Sequence, residues 1–516
     1  MARLYDSILQ GRFRTWYTPN REQAGFCERQ GCSLQTFALF LLIDYSHAVG
    51  KDLYVGFMDY AKAFDYANRA SIIKDLMSKG CGKKFTEAIA KMFQSTSYIP
   101  KIGNKLSDEI ITQVGVAQGR KSSPDIYSFY VSDMPSCMDE IPTNDFMDPH
   151  NVAQLADDTI LLAELLNNLI LKFKAALDYS ARKFQVPNLS KTVFAHFNNN
   201  PNNSSISIDD DTTFDHIDKI KGYKYLGNKY IPTGSTKELI IKNIDQRSGC
   251  IAKFYGWLQA NIETPIEVKL LILDNCLFLS MLYGIEAWGN FDCVDERLRK
   301  IEVQALKAIL KVKRGTATDL VYHELRRPNI VSRVKDQQYK FFKRINSLNE
   351  DIAIVVSIMR ICQGCPMLMY YESLHNHHGD DDMKDRELRI QSSTLSSLVY
   401  YSAMNFSSKS MIYQSFMDDE KRAVISRWRL SNHRLKIETL RYHRPLIQRK
   451  DRLCDVCGVL DDETHAVYEC IRYNIIREKY VALLTKLDSI QKFLNPGVED
   501  MLRVASFLME VEKILK

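Results

Sequence analysis

The stretch Val152-Ala153-Gln154-Leu155-Ala156-Asp157-Asp158-Thr159-Ile160-Leu161-Leu162 decides how the rest of the chain is read. Apolar residues run up to two adjacent carboxylates and away from them again. That is the pattern of a β-hairpin with an Asp-Asp pair at its tip. Two negative charges side by side at a sheet edge repel unless a cation neutralises them. Hard divalent ions with oxygen ligands do so. A solvated acidic turn is the plain alternative, and the surroundings of the pair choose between the two.

Composition sets the frame. The chain has 516 residues, 45% hydrophobic and 26% charged, the balance of a soluble globular protein with room for about two to four domains. The formal net charge of +6 is mild and conceals local basic stretches. Met1 is followed by the mixed run Ala2-Arg3-Leu4-Tyr5-Asp6, so no secretory signal is expected and the protein is expected inside the cell, in nucleus and cytoplasm. The most apolar long run, residues 270–288, is broken by Asp274, Asn275 and Glu286. It predicts a buried helix, and no membrane partner. The 12 cysteines lie scattered through apolar segments, as reduced thiols do.

In chain order, Tyr5, Ile8, Leu9 and Phe13 share one predicted helix face, and a second helix covers 34–48. A strand over 53–58 ends at Asp59. An amphipathic helix over 70–77 is stopped by Gly80-Cys81-Gly82. Then come a helix over 86–93, short strands at 99–102 and 110–114, the run Gly115-Val116-Ala117-Gln118-Gly119, and a helix over 123–138. Beyond the hairpin, Leu165, Leu169, Phe173, Ala176 and Leu177 space out a helix to 184. A strand over 192–197, a low-complexity polar loop over 198–205 and Tyr223-Lys224-Tyr225-Leu226-Gly227 close the strand-rich part. Residues 237–348 read as almost wholly helical, and 349–419 carry no clear pattern.

A strand ending in Asp59, a helix, and a hairpin bearing Asp157-Asp158 is the order of a polymerase palm. There two neighbouring strand ends present three carboxylates to a pair of Mg²⁺ ions, one acting on the primer 3′-hydroxyl and one on the triphosphate. At this point the chain resembles the reverse transcriptase of non-LTR (LINE-type) retrotransposons, over about 4–330 and again near the C-terminus. Phe57-Met58-Asp59-Tyr60-Ala61-Lys62-Ala63-Phe64-Asp65 resembles the family's first catalytic motif. Gln118-Gly119 with Ser123-Pro124 resembles its template- and nucleotide-gripping motif. Leu155-Ala156-Asp157-Asp158 resembles its Ala-Asp-Asp hairpin, and Asn188-Leu189-Ser190-Lys191-Thr192 its Asn-x-x-Lys-Thr element. Tyr225-Leu226-Gly227 resembles the primer grip, and Leu282-Tyr283-Gly284-Ile285-Glu286-Ala287-Trp288 the thumb signature.

The resemblance implies an α+β fold, a right-hand polymerase of fingers, palm and thumb with a helical C-terminal region and a zinc knuckle. Its expected divisions are partial fingers and palm over 1–230, a helical thumb over 231–330, a basic helical connector over 331–445, and the knuckle with C-terminal helices over 446–516. It implies an RNA-directed DNA polymerase that takes dNTPs, an RNA template and a DNA primer or target, with two Mg²⁺, or Mn²⁺ in their place. Asp59 and Asp157 would be the indispensable metal ligands and Asp158 a supporting carboxylate. Phe64 would crowd the sugar 2′-position and favour deoxynucleotides, unless it is an ordinary core aromatic. Gln118 and Gly119 would let the backbone approach nucleotide and template. Lys191 would stand near the pyrophosphate as a proton donor, or serve as a solvated strand-edge lysine.

The sequence departs from the family at three places. Where the family reads Gly-Phe-Arg-x-Gly-Arg-Ser, this chain has Cys27 and Gln30 at the two arginine positions, with Arg29 displaced in register. Leu155 replaces an aromatic, and Arg120-Lys121 a small or apolar pair. The first fingers strands and an endonuclease domain are expected to be missing, as from an N-terminally truncated copy, a degenerate copy, or a chain that begins inside a longer reading frame. These departures motivate a second reading, a catalytically degenerate polymerase-fold protein that only binds RNA or DNA. A templated polymerase of ribonucleotides is a third, against which Phe64 argues.

Two further features carry chemistry. Cys454-x2-Cys457-x7-His465-x4-Cys470 has the spacing of a tetrahedral zinc site. Basic residues dominate 297–344, and they recur over 421–452 as Arg427, Arg429, Arg434, Arg441, Arg444 and Arg449 interleaved with Trp428, Tyr442 and His443. That mixture suits phosphate contact and base stacking. Cys362-x2-Cys365 with His375, His377 and His378 fits no standard knuckle.

Overall fold

In the computed structural model, strand β1 (Tyr54–Met58) lies at the middle of a six-stranded sheet. The others are β2 (Val152–Leu155), β3 (Asp158–Ala163), β4 (Val193–His196), β5 (Ser205–Ser207) and β6 (Thr213–His216), in the order β2-β3-β1-β4-β6-β5. The structure describes residues 2–94, 96–139, 141, 151–197, 204–218, 220–232, 235–289, 291–374, 379–392 and 418–515. The neighbours pair antiparallel except β4 with β6. The chain divides into two compact units: residues 1–243, 284–290 and 338–375, and residues 244–283, 291–337 and 376–516.

In the first unit the central strands of the sheet are buried on both faces, while β5 and β6 alternate buried and exposed residues. The residues of β3 after Asp158 are all buried, because a strand flanked on both sides needs no polar alternation. Helix α5 (Leu166–Arg182) presents Leu169, Phe173 and Ala176 to the core, at the spacing expected. Phe173 sits directly against Gly56 of β1. On the opposite face Phe57 meets Tyr223 and Tyr225 of the hairpin Tyr223–Tyr225/Asn228–Tyr230. Tyr230 of that hairpin stacks near Phe40 of α2 (Cys32–Val49). Helix α2 is long and apolar enough to cross a membrane, and its residues from Phe37 to Ile43 fill the core. Helix α3 (Arg69–Ser78) begins where the Asn68 side chain accepts the Ser71 N–H, and the chain turns away at Gly80 with φ +79°.

Several expectations need correcting. In helix α1 (Ala2–Trp16) Leu9 and Phe13 are buried, but Tyr5 and Ile8 are exposed and Asp6 takes the inward place. The helix expected over 123–138 stops at Tyr130 (α4, Ser123–Tyr130) and resumes only for Ser136–Asp139. Pro135 has no N–H and disfavours helix in the residue before it. The strands at 99–102 and 110–114 shrink to two-residue ribbons, Ser97–Tyr98 with Ile110–Ile111 and Lys101–Ile102 with Lys105–Leu106. Of the polar loop, 198–203 lie outside the described residues, and Ser205 opens a strand that periodicity did not show. The helix expected over 270–288 is broken into Ile266–Ile272, a π-helical turn Leu273–Phe278, Leu279–Met281 and a 3-10 turn Ile285–Ala287.

The second unit is helical and is held by buried ion pairs. Arg429 donates to Glu324 at 2.8 Å with both side chains buried. Lys269 pairs with Asp419 at 2.8 Å. The fully buried Glu302 accepts from Arg333, the Tyr322 hydroxyl and the Ile330 N–H. Many of the expected nucleic-acid cations are therefore structural: Arg327 and Arg333 on Asp274, Arg427 on Glu512, Arg429 on Glu324. Trp428 is buried and offers no face to a base. A charge that must be desolvated to pack is kept only where a partner neutralises it.

Candidate polymerase site and cysteine-histidine centre

The hairpin β2–β3 closes more tightly than the sequence suggests. Leu155 pairs with Asp158, so the tip is Ala156-Asp157 and Asp158 is already the first residue of β3. Ala156 takes φ +59°. On the adjacent strand Met58 pairs with Thr159, which puts Asp59 one residue beyond β1, beside Asp158. The ends of two neighbouring strands thus carry all three carboxylates.

Their electrostatics record the crowding. Asp158 is pushed up to about 6, first by burial and then by the charges of Asp157 and Asp59. Asp157 is also raised, by burial and by Asp59, against a lowering backbone hydrogen bond. Shifts in this direction mean that the site holds more negative charge than it can solvate. Oxygen donors, excess negative charge and partial burial together suit a hard divalent cation.

The other motif residues gather around these carboxylates. The segment after Asp59 pairs with the Asn188 element: Asn188 N–H donates to Asp59 O at 2.8 Å, and Ala61 N–H to Val186 O at 2.9 Å. Lys191 Nζ stands 3.7 Å from Asp59 Oδ2, exposed at the rim. Val116 N–H donates to Phe64 O at 2.8 Å, which joins the segment after Asp59 to the run 115–119. Gln118 reaches back to Asp65 at 3.4 Å, and Gly119 has φ +88° with open space at its missing Cβ. The Phe64 ring, half-buried, stacks on Tyr127 at 4.3 Å. Burial and then the charge of Asp157 raise the Tyr127 hydroxyl well above the ordinary range.

Four contributors escaped the sequence reading. Tyr127 supports Phe64. Tyr223 lies against the carboxylates, its hydroxyl pushed up to about 12 by burial and then by Asp59 and Asp158. Arg69, buried, donates to Gly115 O at 2.8 Å and Phe93 O at 2.9 Å, and so braces the run into Gln118. Gln23 bonds Ala156 directly. Gln23, Tyr127 and Tyr223 stand beside motifs that were singled out, but nothing local marks them or Arg69 as part of the site until the chain is folded.

At the departures, Cys27 hydrogen-bonds Gln23 O and Gly25 O, and its thiol is raised to about 11 by burial and then by Asp125. Gln30 donates to Ile352 O at 2.8 Å, and Arg29 is exposed. Neither of the two family arginine positions carries a cation. Lys121 is tied to α1: its N–H donates to Asp6 at 2.7 Å and its carbonyl accepts from Gln10 at 2.7 Å.

The cysteine-histidine centre closes as spaced. One ligand atom each from Cys454, Cys457, His465 and Cys470 lie within 4.8 Å of one another, the one set of this kind among the described residues. Cys470 Sγ is 3.7 Å from Cys454 Sγ and 3.8 Å from Cys457 Sγ. Both ring nitrogens of His465 are buried, with Nδ1 3.5 Å from a Glu469 carboxylate oxygen and the ring beside the Cys454 thiol. Burial raises the Cys454 thiol, but hydrogen bonds from the Val456 and Cys457 N–H groups and from His465 and Cys470 together lower it to about 7. Three soft thiol donors and a buried imidazole at this spacing fit a zinc-type ion. The other pair, Cys362 and Cys365, is buried with both thiols raised, and Cys365 caps Pro366–Ser373. His375, His377 and His378 lie outside the described residues.

Comparison with known proteins agrees with the palm. The reverse transcriptase (RNA-dependent DNA polymerase) family model matches residues 1–230. The Pol polyprotein of the type-2 retrotransposable element R2DM of Drosophila melanogaster is 26% identical over 180 residues, 35% of this chain and 17% of that protein. The RNA-directed DNA polymerase from the mobile element jockey of the same fly is 23% identical over 360 residues, 67% of this chain and 37% of that protein. The chain thus spans well under half of either relative. Two solved telomerases, each with a fragment of telomeric RNA, align weakly. The Candida tropicalis enzyme has a TM-score of 0.32 at 10% identity over 74% of this chain and 56% of its own. The Candida albicans enzyme has 0.30 at 14% over 69% and 56%. With the carboxylate-bearing hairpin and the paired motif segments in hand, residues 1–230 match the reverse transcriptase family, and the chain is similar to polymerases of non-LTR retrotransposons.

Proposed function

We propose that the chain is an RNA-directed DNA polymerase that extends a DNA 3′-hydroxyl on an RNA template with dNTPs. The observation that carries this reading is the placement of Asp59, Asp157 and Asp158 on adjacent strand ends, the last two raised first by burial and then by their charged neighbours. Asp59 and Asp157, supported by Asp158, would hold two Mg²⁺, or Mn²⁺ in their place. When bound, such ions activate the 3′-hydroxyl and neutralise the phosphates. The chain's own part is positional. Phe64, backed by Tyr127, closes the space where a ribose 2′-hydroxyl would lie. Gln118 and Gly119 offer an exposed side chain and a bare backbone to nucleotide and template. Lys191, beside Asp59, can donate a proton to the departing pyrophosphate.

Zn²⁺ is the ion proposed for Cys454, Cys457, His465 and Cys470, where it would fold the loop that carries them. For nucleic acid backbone we propose the groove of the second unit lined by Tyr255, Arg299, Lys300, Lys307 and Arg314. It joins an aromatic face to cations, among which Lys300 is widely exposed and pairs with Glu296 of the same groove at 2.7 Å, while Lys307 donates to Arg314 O at 2.6 Å. The template and target of such an enzyme place its work in nucleus and cytoplasm.

Single-nucleotide extension of a DNA primer on RNA, with excess dNTP, tests the reading. Wild type should incorporate and Asp157→Asn should not. The neutral Cys27 and Gln30 favour one other reading, a polymerase fold that binds nucleic acid without catalysis. Salt-sensitive RNA binding with no incorporation by wild type would establish it.

A further inference from the structure

We infer that Gln23 is a positioning residue for the carboxylate turn: its side-chain amide locks Ala156, the residue before Asp157, in its left-handed conformation. The inference rests on the reading of Asp157 as a metal ligand.

Ala156 has φ +59°, a conformation that hairpin turns ordinarily give to glycine, because a Cβ crowds the neighbouring carbonyl there. Something must hold it. Gln23 is buried at 2% exposure and meets both backbone groups of Ala156. Its Oε1 accepts the Ala156 N–H at 2.8 Å, and its Nε2 donates to Ala156 O at 3.3 Å. Oε1 also accepts the Gly25 N–H at 2.7 Å. Only one amide orientation satisfies all three partners.

The backbone fixes Gln23 in turn. Ala24 N–H donates to Gln154 O, and Gln154 N–H to Glu22 O, each at 2.8 Å. Gln23 bridges Gln154 in parallel, so this segment extends the sheet beyond β2. Gln35 of α2 donates to Gln154 O at 3.1 Å. Gly25 makes room, since a Cβ there would collide with Ala156 N. A side chain that pairs with both peptide groups of a strained residue does for the turn what a glycine would do by itself.

The test compares Gln23→Ala, Gln23→Glu and the double variant Gln23→Ala/Ala156→Gly. The readouts are kcat for single-nucleotide incorporation, Mn²⁺ affinity from the electron paramagnetic resonance of free Mn²⁺, and the melting temperature. Gln23→Ala should lower kcat and Mn²⁺ affinity about tenfold each, with nucleotide KM little changed. Ala156→Gly should restore most of the loss, because glycine adopts positive φ without a Cβ. Gln23→Glu keeps the acceptor oxygens, loses the donor, and should fall between; it serves if the alanine variant does not fold. Unchanged kcat and Mn²⁺ affinity in Gln23→Ala and Gln23→Glu would overturn the inference. So would a loss that glycine at 156 leaves unrepaired, which is the mark of a merely space-filling glutamine. Mn²⁺ binding that needs both Asp157 and Gln23, in a wild type that incorporates nothing, would uphold Gln23 and sink the polymerase reading alone. A wild type that binds no Mn²⁺ through Asp157 would sink both.

Discussion

Asp59, Asp157 and Asp158 stand at the ends of strands whose other residues fill a large core, whereas Cys454, Cys457, His465 and Cys470 stand in a loop folded around themselves. The contrast follows from charge. Carboxylates are ionised at neutral pH and repel, so the fold must mount them on something rigid and leave the last neutralisation to a cation. Thiols can stay neutral, so four soft ligands lie within 4.8 Å of one another without the mutual repulsion that carboxylates meet. Around the loop a few buried polar contacts help. His433 bonds Glu463 at 2.8 Å, and Lys436 N–H bonds Asp461 at 2.8 Å. The apolar content of the loop itself is small: Ala466 and Val467 are its fully buried apolar residues apart from the cysteines. The first site borrows its order from the sheet, and the second has little core of its own, so the zinc proposed for it would supply its order.

The widest test of this contrast uses one change at each site. Asp157→Asn should cut incorporation on the order of a thousandfold or more. It should leave the melting temperature equal or slightly higher, because it removes a repelling charge. Chelation, or Cys457→Ala, should do the reverse: it should remove about one zinc per chain by elemental analysis and strip hydrogen-exchange protection from residues 453–470. Exchange in the sheet should not change. If chelation left the loop protected, the knuckle would be as independent of metal as the palm.

A smaller effect is expected from Gly56→Ala. A Cβ there would lie 2.5 Å from Cζ of the Phe173 ring, which is fully buried and cannot swing clear. Overpacking of this kind costs about 1–3 kcal/mol, measured as a lower denaturant midpoint. The carboxylates three residues on should keep their Mn²⁺ affinity within about threefold, since sheet hydrogen bonds hold the strand ends. A parallel collapse of stability and ion affinity would show that the core is less of a mount than the contrast requires.

Much of this was legible in the sequence, for a physical reason. Asp59, the Asp157-Asp158 hairpin and the Asn188 element lie on short segments whose local pattern dictates strand and turn, so their spacing survives in one dimension. The cysteine-histidine spacing is legible on the same ground. What escaped depends on long-range partners. The expectation that Arg327, Arg333 and Arg429 would face phosphate failed because Asp274, Glu302 and Glu324, distant in sequence, neutralise them inside the second unit. The helix expected over 270–288 was broken at Gly284, whose φ of +82° lies outside the helical region. Gln23 looked like loop filler because its partner, Ala156, is 133 residues away.

The finest test of the contrast is in the pH dependence of Asp158. Its pKa is raised from the ordinary 3.8 to about 6, so in EDTA the folded state favours the neutral carboxyl. The stability this gives is fully present below about pH 4 and is lost as pH rises through about 6. Water at the exposed Asp158 screens the effect, which should stay near about 2 °C in melting temperature. Asp133, Asp274 and Asp419 are shifted down and pull the other way, so the readout is the difference between wild type and Asp158→Asn. In EDTA wild type should lose ground to the variant between pH 4 and pH 7. Mg²⁺ should reverse this at pH 7.5, where the ionised carboxylate can bind it, and do little at pH 5. Equal curves with and without Mg²⁺ would mean that the charge stored at this turn is not there to hold a cation, and the likeness between the two ligand sets would end at their geometry.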